Sequence, residues 1–502
     1  MLPELEVPFM RRAAIASSFP NLAVAGLMAG LSVGAGLLAG CPDRSISKVD
    51  PLQGRVEFKD IPVTVNRDID LLFLVDDSPS MGDKQSNLAD NFPEFINVLK
   101  EIPGGLPNVH IAVVTSDMGT KGAADPAAGA GIGMPGQGGC SGTGKNGVMQ
   151  LFGAPVTGTS FISDVDDATA PNGRKVNYTG KLEDVFATMA KAGAGGCGFE
   201  QHLEAMKQAL QENLHPANAG FLRPDAYLAV VIIADEDDCS LAHSTLLASN
   251  ESGPLGPLQS FRCTRFGVVC DTNGTTPDAM NVVNVKDKCH PNEDSAYLTK
   301  ISDYVTFLKG LKPADPSKVI VAGIIGTTDH VETELRAPPG STTKIPALAH
   351  SCNYPGRTGI EVADPPIRLK FFLDQFPNRS TFATICDRNL SKALNQIGDL
   401  LKTVLGDPCI EGTLVGPPYE CSVSSVTDPG KATEVETIMP KCNPEDGTGA
   451  TMPCWHLVAE PASCPNADHL TLKIEQEDML RANNMDTHVL ANCVTQVTDA
   501  PL

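Results

Sequence analysis

Short, nearly unbroken apolar runs recur at 71–75, 110–115, 226–234, 319–325 and 380–385. Runs this short, without polar alternation, suit strands covered on both faces, so they predict a mainly parallel sheet. Between them the apolar period changes. Leu88, Phe92, Phe95, Ile96 and Leu99 fall at i, i+4, i+7, i+8 and i+11, and Phe199, Leu203, Met206 and Leu210 at i, i+4, i+7 and i+11. Each set lines one side of a helix and predicts an amphipathic helix laid on the sheet, the second over 199–213. Further helices are expected over 297–311 and over 392–404, the latter with Ser391 as its cap. Strands alternating with helices predict an α/β domain.

The insertions 118–180, 240–293 and 327–364 interrupt this pattern, polar and punctuated by Pro and Gly. The first is expected to carry short strands at 147–152 and 175–178. Long loops inside a compact domain mark binding surfaces or mobile segments. Residues 42–67 read as a tether and 68–406 as the α/β domain. Beyond, 407–502 reads as a small β-rich module with strand signals at 469–476 and 487–494.

Charge narrows the partners. The chain has 502 residues, 38 basic against 60 acidic side chains and a net charge of −22. Such a field repels nucleic acid and anionic lipid and favours cation binding.

The amino terminus and the cysteines point to one compartment. Arg11 and Arg12 precede a small-residue apolar stretch that closes on Leu38-Ala39-Gly40-Cys41. A basic start followed by an apolar run describes a secretory signal over 1–41. The ending resembles the bacterial lipoprotein lipobox, which implies that Cys41 is acylated and anchors the mature chain in the cell envelope. A single transmembrane anchor is the alternative. Of 15 cysteines, Cys41 set aside leaves 14, divided as eight between Cys140 and Cys386 and six between Cys409 and Cys493. Even numbers in both regions fit complete disulfide pairing in an oxidising compartment. Zinc finds no Cys-x-x-Cys pair, and Cys289-His290 stands alone.

The first run carries the candidate chemistry. It reads Asp-Leu-Leu-Phe-Leu-Val-Asp-Asp-Ser-Pro-Ser-Met over 70–81, so Asp76, Ser78 and Ser80 crowd onto the turn past the strand's carboxyl end. One carboxylate and two hydroxyls form an oxygen-rich set of the kind that holds hard divalent cations. The alternative is structural: the serines cap the next helix and Asp76 satisfies loop amides.

Asp76-x-Ser78-x-Ser80, the helix after it, and Asp235 at the end of the run 226–234 resemble a von Willebrand factor type A domain over roughly 68–406. The resemblance implies a doubly wound sheet flanked by helices, and a metal-ion-dependent adhesion site made by Asp76, Ser78, Ser80 and Asp235. It further implies Mg2+, with Ca2+ or Mn2+ as alternatives, and a partner presenting a carboxylate. The neutral hydroxyls would ligate without cancelling the ion's charge, leaving it electrophilic. The family's threonine has no counterpart. Its loop reads Gly193-Ala-Gly-Gly-Cys-Gly-Phe-Glu-Gln, with Gly196 or Cys197 at the equivalent place, and a thiol suits a hard cation poorly. A Cys197–Cys239 disulfide tying the two metal-facing loops is the accompanying expectation.

Nearby acids leave alternatives open. Glu236, Asp237 and Asp238 form a calcium-binding rim or an acidic, solvated loop, and Asp117 adds an outer carboxylate or shapes a turn. His202 is expected to pack or to face solvent. No nucleophile elbow, zinc-protease helix or phosphate loop occurs. The expectation is a non-enzymatic, lipid-anchored envelope protein binding a protein or cell-surface ligand through a divalent cation. A metal-free structural lipoprotein is the alternative, and a hydrolase in the C-terminal module a third.

Overall fold

The computed structural model describes residues 55–62 and 68–405, with short gaps at 103–104, 168, 171–172, 212, 314–315 and 339. In the C-terminal part it describes 410, 413–427, 434–444, 453–459, 468–475 and 487–495. The signal segment 1–41 with Cys41, and the cysteines Cys409 and Cys464, lie outside the described residues.

The apolar runs form the central sheet. Its strands are β1 (Asp68–Val75), β2 (Asn108–Thr115), β3 (Ile162–Asp166), β4 (Arg174–Val176), β5 (Tyr227–Ile233), β6 (Val319–Ile325) and β7 (Ser380–Thr384), in the order β7-β6-β5-β1-β2-β3-β4. The first five in that order run parallel, and β3 and β4 add an antiparallel edge. Within the first insertion, 147–152 is not a strand; Gln150 makes one backbone bond to Val113. The expected strand at 175–178 is realised as Arg174–Val176, and it pairs with Ile162–Asp166 to make the edge.

Helices cover both faces. They are α1 (Gly82–Lys100), α2 (Leu182–Met189), α3 (His202–Leu210), α4 (Ile301–Gly310), α5 (Ile367–Asp374) and α6 (Ser391–Leu405). Side chains alternate across a strand, so Ile69, Leu71, Phe73 and Val75 pack beneath α1, α2 and α6. Leu72 and Leu74 pack under α3, α4 and α5. Phe73 meets Phe92 edge-on at 5.8 Å and Phe186 at 4.6 Å. Each buried Phe or Leu contributes about 1.5–3 kcal/mol, so α1 and the turn feeding it rest on a fixed base.

Two helices start later than expected. α3 begins at His202 because Phe199 is drawn into a separate apolar cluster with the disulfides. α4 begins at Ile301, where the Glu293 carboxylate accepts the Ile301 and Ser302 N–H groups. At α6, Asn389 accepts the Ser391 N–H, while the Ser391 hydroxyl donates to Asn91.

The expected tether contains a strand. Arg55–Pro62 pairs antiparallel with Thr487–Thr495, giving a sheet of Arg55–Pro62, Thr487–Thr495, Cys421–Thr427 and Val435–Met439. Residues on both sides of the α/β domain therefore build the C-terminal module, which also carries the hairpin Cys454–Ala459 with Leu470–Glu475.

Bridges join 140–197, 239–263, 270–289, 352–386, 421–493 and 442–454. The eight cysteines of the α/β domain pair among themselves. The expected Cys197–Cys239 bridge does not form. Those two segments are held instead by the Cys239 N–H donating to the Glu200 carbonyl, while each sulfur turns outward to an insertion.

Candidate functional site

Strand order reverses between β1 and β5, and in open α/β sheets the crevice at that reversal, past the strands' carboxyl ends, is where ligands bind. Val75 pairs in register with Ile233, and the Asp76 N–H bonds to the Ile233 carbonyl at 2.9 Å. Asp76 and Asp235 thus emerge at the same edge.

The expected ligand residues come together. Ser78 and Ser80 Oγ lie 3.0 Å apart, and the Ser80 hydroxyl donates to Asp235 Oδ1 at 3.1 Å. Asp76 Oδ1 accepts the Ser78 N–H at 2.8 Å and the Ser116 hydroxyl at 3.1 Å. Neither serine side chain caps the short turn Pro79–Met81 or α1, which removes the structural alternative for the hydroxyls. Asp76 is fully buried, and its Oδ2 has no hydrogen-bond partner. A buried anionic oxygen without a partner carries a desolvation cost that a bound cation would offset. The donor set of two carboxylates and two hydroxyls fits a hard, oxygen-seeking ion.

Sequence reasoning missed the cation already there. Lys84, in the first turn of α1 and 1% exposed, puts Nζ 2.9 Å from Asp235 Oδ2, 3.1 Å from Glu361 Oε2 and 3.2 Å from the Ser80 carbonyl. Burial works against its charge, but Asp235 and Glu361 outweigh that and raise its pKa. Asp235 is pushed up to about 6 by burial and then by Asp76, with Lys84 and Ser80 opposing. Lys84 answers Asp235 but does not reach Asp76 Oδ2. The nearest basic group in an ion pair with Asp76 is His202, fully buried, with Nε2 3.8 Å from Oδ2. Burial lowers the His202 pKa, and Asp76, Asp238 and Asp237 together raise it above the ordinary value. Its i+3 and i+4 spacing from Phe199 and Met206 marked only a packed helix position.

The loop 193–201 leaves no room for a side chain at 196. The Gly196 N–H donates to the Asp77 carbonyl at 2.7 Å, and a Cβ on Gly196 would fall 2.4 Å from Asp77 Oδ1. Cys197 is taken up in its bridge to Cys140. No hydroxyl comes from this loop, and Ser116, at the end of β2, is the hydroxyl that reaches Asp76. Asp77 pairs with Lys145 from the first insertion, and burial, with Asp76 and Asp117 adding, pushes its carboxyl up to about 6 against that lysine.

The acidic run 235–238 divides by role. Asp237 accepts the Arg368 and Leu369 N–H groups and caps α5. Asp238 is fully buried, accepts the Leu203 N–H at the start of α3, and pairs with Arg368 at 3.1 Å. With Asp237 and Asp238, two of its four acids, committed to helix ends, the run is not a free, solvated loop. Asp117 shapes a turn by accepting the Gly119 N–H. Glu236 turns elsewhere, towards Glu200 and Asp364. Burial first, and then these carboxylates with Asp235 and Asp76, raise Glu200 and Glu236 well above the ordinary range.

No protein-family model matches the chain, and no curated protein matches it in sequence. Among solved structures, the pilus adhesin SpaC from Lactobacillus rhamnosus GG, in an open conformation, overlaps 92% of this chain and 46% of its own, at 10% identity and a TM-score of 0.28. This chain therefore spans less than half the length of that protein, and the likeness is too loose to assign a fold or a function.

Proposed function

We propose that residues 68–406 are a von Willebrand factor type A domain in which Asp76, Ser78, Ser80 and Asp235 hold a divalent cation, Mg2+ first among candidates, for binding a carboxylate-bearing partner. The observation that carries this reading is the buried Asp76 Oδ2, without a hydrogen-bond partner and 3.8 Å from His202, beside two hydroxyls that cap no helix. A bound cation would supply an electrophilic point that accepts an outside carboxylate. The protein's own residues do the rest: Ser116 and the Ser78 amide fix the Asp76 carboxylate, Ser80 orients Asp235, and Lys84 limits the negative charge. The doubly wound sheet, with both aspartates at its strand-order reversal, supports the same reading. We read the chain as a binder, not an enzyme.

The intrachain disulfides and the signal-like amino terminus support a place outside the cytoplasm, with Cys41 as the lipid anchor in the cell envelope. The test is thermal unfolding in chelator against Mg2+, Mn2+ or Ca2+. Metal raises the melting temperature of the wild type, and Asp76→Ala, or Ser78→Ala with Ser80→Ala, keeps the fold and loses that rise. A wild type indifferent to all three ions would sink the reading. It would favour a metal-free scaffold, the second reading, which rests on the Lys84 ammonium already seated on Asp235.

A further inference from the structure

A cavity of about 400 Å3 lies beside the cation site, walled by the second and third insertions. Glu200, Glu236 and Asp364 line it together with Phe261, Pro346 and Leu348. Asp364 is answered by His350, whose Nδ1 lies 2.6 Å away and whose other ring nitrogen contacts Arg336. Glu200 and Glu236 have no such answer: neither takes part in an ion pair with any described residue. Glu200 is 1% exposed, and its Oε1 has no hydrogen-bond partner. A carboxyl this deep, facing a cavity and with one oxygen lacking a donor, stays ionised only where a cation answers it.

Two ligand chemistries could supply it, a second inorganic ion or an organic cation. Among the described residues no three Asp, Glu, His or Cys side chains converge as a metal-holding group, so the cavity acids are too spread to ligate one ion. The volume lies within the range of pockets that enclose organic ligands, and an aromatic and aliphatic wall suits the carbon stem and flat head of a basic side chain. We propose that this cavity receives the guanidinium or ammonium group of a lysyl or arginyl side chain, with Glu200 as its buried counter-charge and Phe261 as its wall. The proposal deepens the reading above and rests on it for the partner's identity: a segment offering a carboxylate to the cation and a basic side chain to the cavity. Occupation of the cavity by a basic group needs no metal.

The probes are agmatine and cadaverine, with glutarate as the anionic control, titrated calorimetrically into the protein in EDTA and in Mg2+. Agmatine and cadaverine bind in both buffers and glutarate does not. Glu200→Gln, which removes the ionisable carboxyl without changing shape, weakens agmatine at least tenfold while its Mg2+-induced thermal shift stays that of the wild type. Absence of agmatine binding, equal binding by Glu200→Gln, or preference for glutarate would each overturn the proposal. Agmatine binding in a protein that shows no Mg2+ response upholds the cavity and removes only the cation reading. A Mg2+ response without agmatine binding does the opposite.

Discussion

Replacing Lys84 with methionine separates a lysine that assists a metal from one that stands in for it. Methionine keeps most of the stem's volume and removes the ammonium that lies 2.9 Å from Asp235 Oδ2 and 3.1 Å from Glu361 Oε2. Removing one partner of a buried ion pair costs about 3–5 kcal/mol, because the remaining carboxylate is left uncompensated. At about 2–4 °C per kcal/mol in a large domain, Lys84→Met in chelator melts roughly 6–20 °C below the wild type. A cation bound as proposed would compete with Lys84 for the Asp235 charge, so removing the ammonium should tighten metal binding. Each tenfold gain in affinity adds about 1.4 kcal/mol at saturating metal. The assay is scanning calorimetry of both proteins in EDTA and in excess Mg2+, and the variant's Mg2+ increment should exceed the wild type's. A variant that loses stability and regains none with Mg2+, Mn2+ or Ca2+ would refute the reasoning and make Lys84 the resident counter-ion of a metal-free fold.

Acidity gives a second handle. Asp235 without metal sits at about 6, above the ordinary carboxylate value near 4. The folded chain therefore holds a proton that the unfolded chain has released, and the group's contribution to stability falls as pH climbs from about 4 to about 6. Bound metal demands the ionised form, so its affinity rises with pH across the same window. The Mg2+ increment in melting temperature should grow between about pH 5 and pH 7, and a pH-independent increment would contradict the assignment. Non-reducing peptide mapping should recover 140–197 and 239–263 as linked peptides; a 197–239 peptide would overturn the loop arrangement described.

Much of the framework was legible because local signals decide it. Apolar runs buried on both faces gave β1, β2, β5 and β6, whose ends placed Asp76 and Asp235 at one edge; the run at 380–385 gave β7, which is a half-buried edge strand with Phe382 exposed. Of the edge pair, Arg174–Val176 overlaps the strand expected at 175–178, while Ile162–Asp166 carries no apolar run to mark it. Arg55–Pro62 became legible only through its partner at Thr487–Thr495, a pairing across almost the whole chain. The same limit hid the site's other half. Ser116 and Glu200 reach Asp76 and the cavity through tertiary approach, and nothing local to Lys84 distinguishes it from a solvated helix lysine. The run 235–238 misled because its charges are absorbed by the amino ends of α3 and α5 and by Arg368, elements far along the chain.

The most direct test is a crystal grown in Mn2+ with anomalous data collected at the manganese edge. The account predicts a peak about 2.0–2.2 Å from the Ser78 and Ser80 hydroxyl oxygens, with Asp76 and Asp235 beside it. A site without a peak, with Lys84 on Asp235 and Asp76 Oδ2 still partnerless, would contradict it.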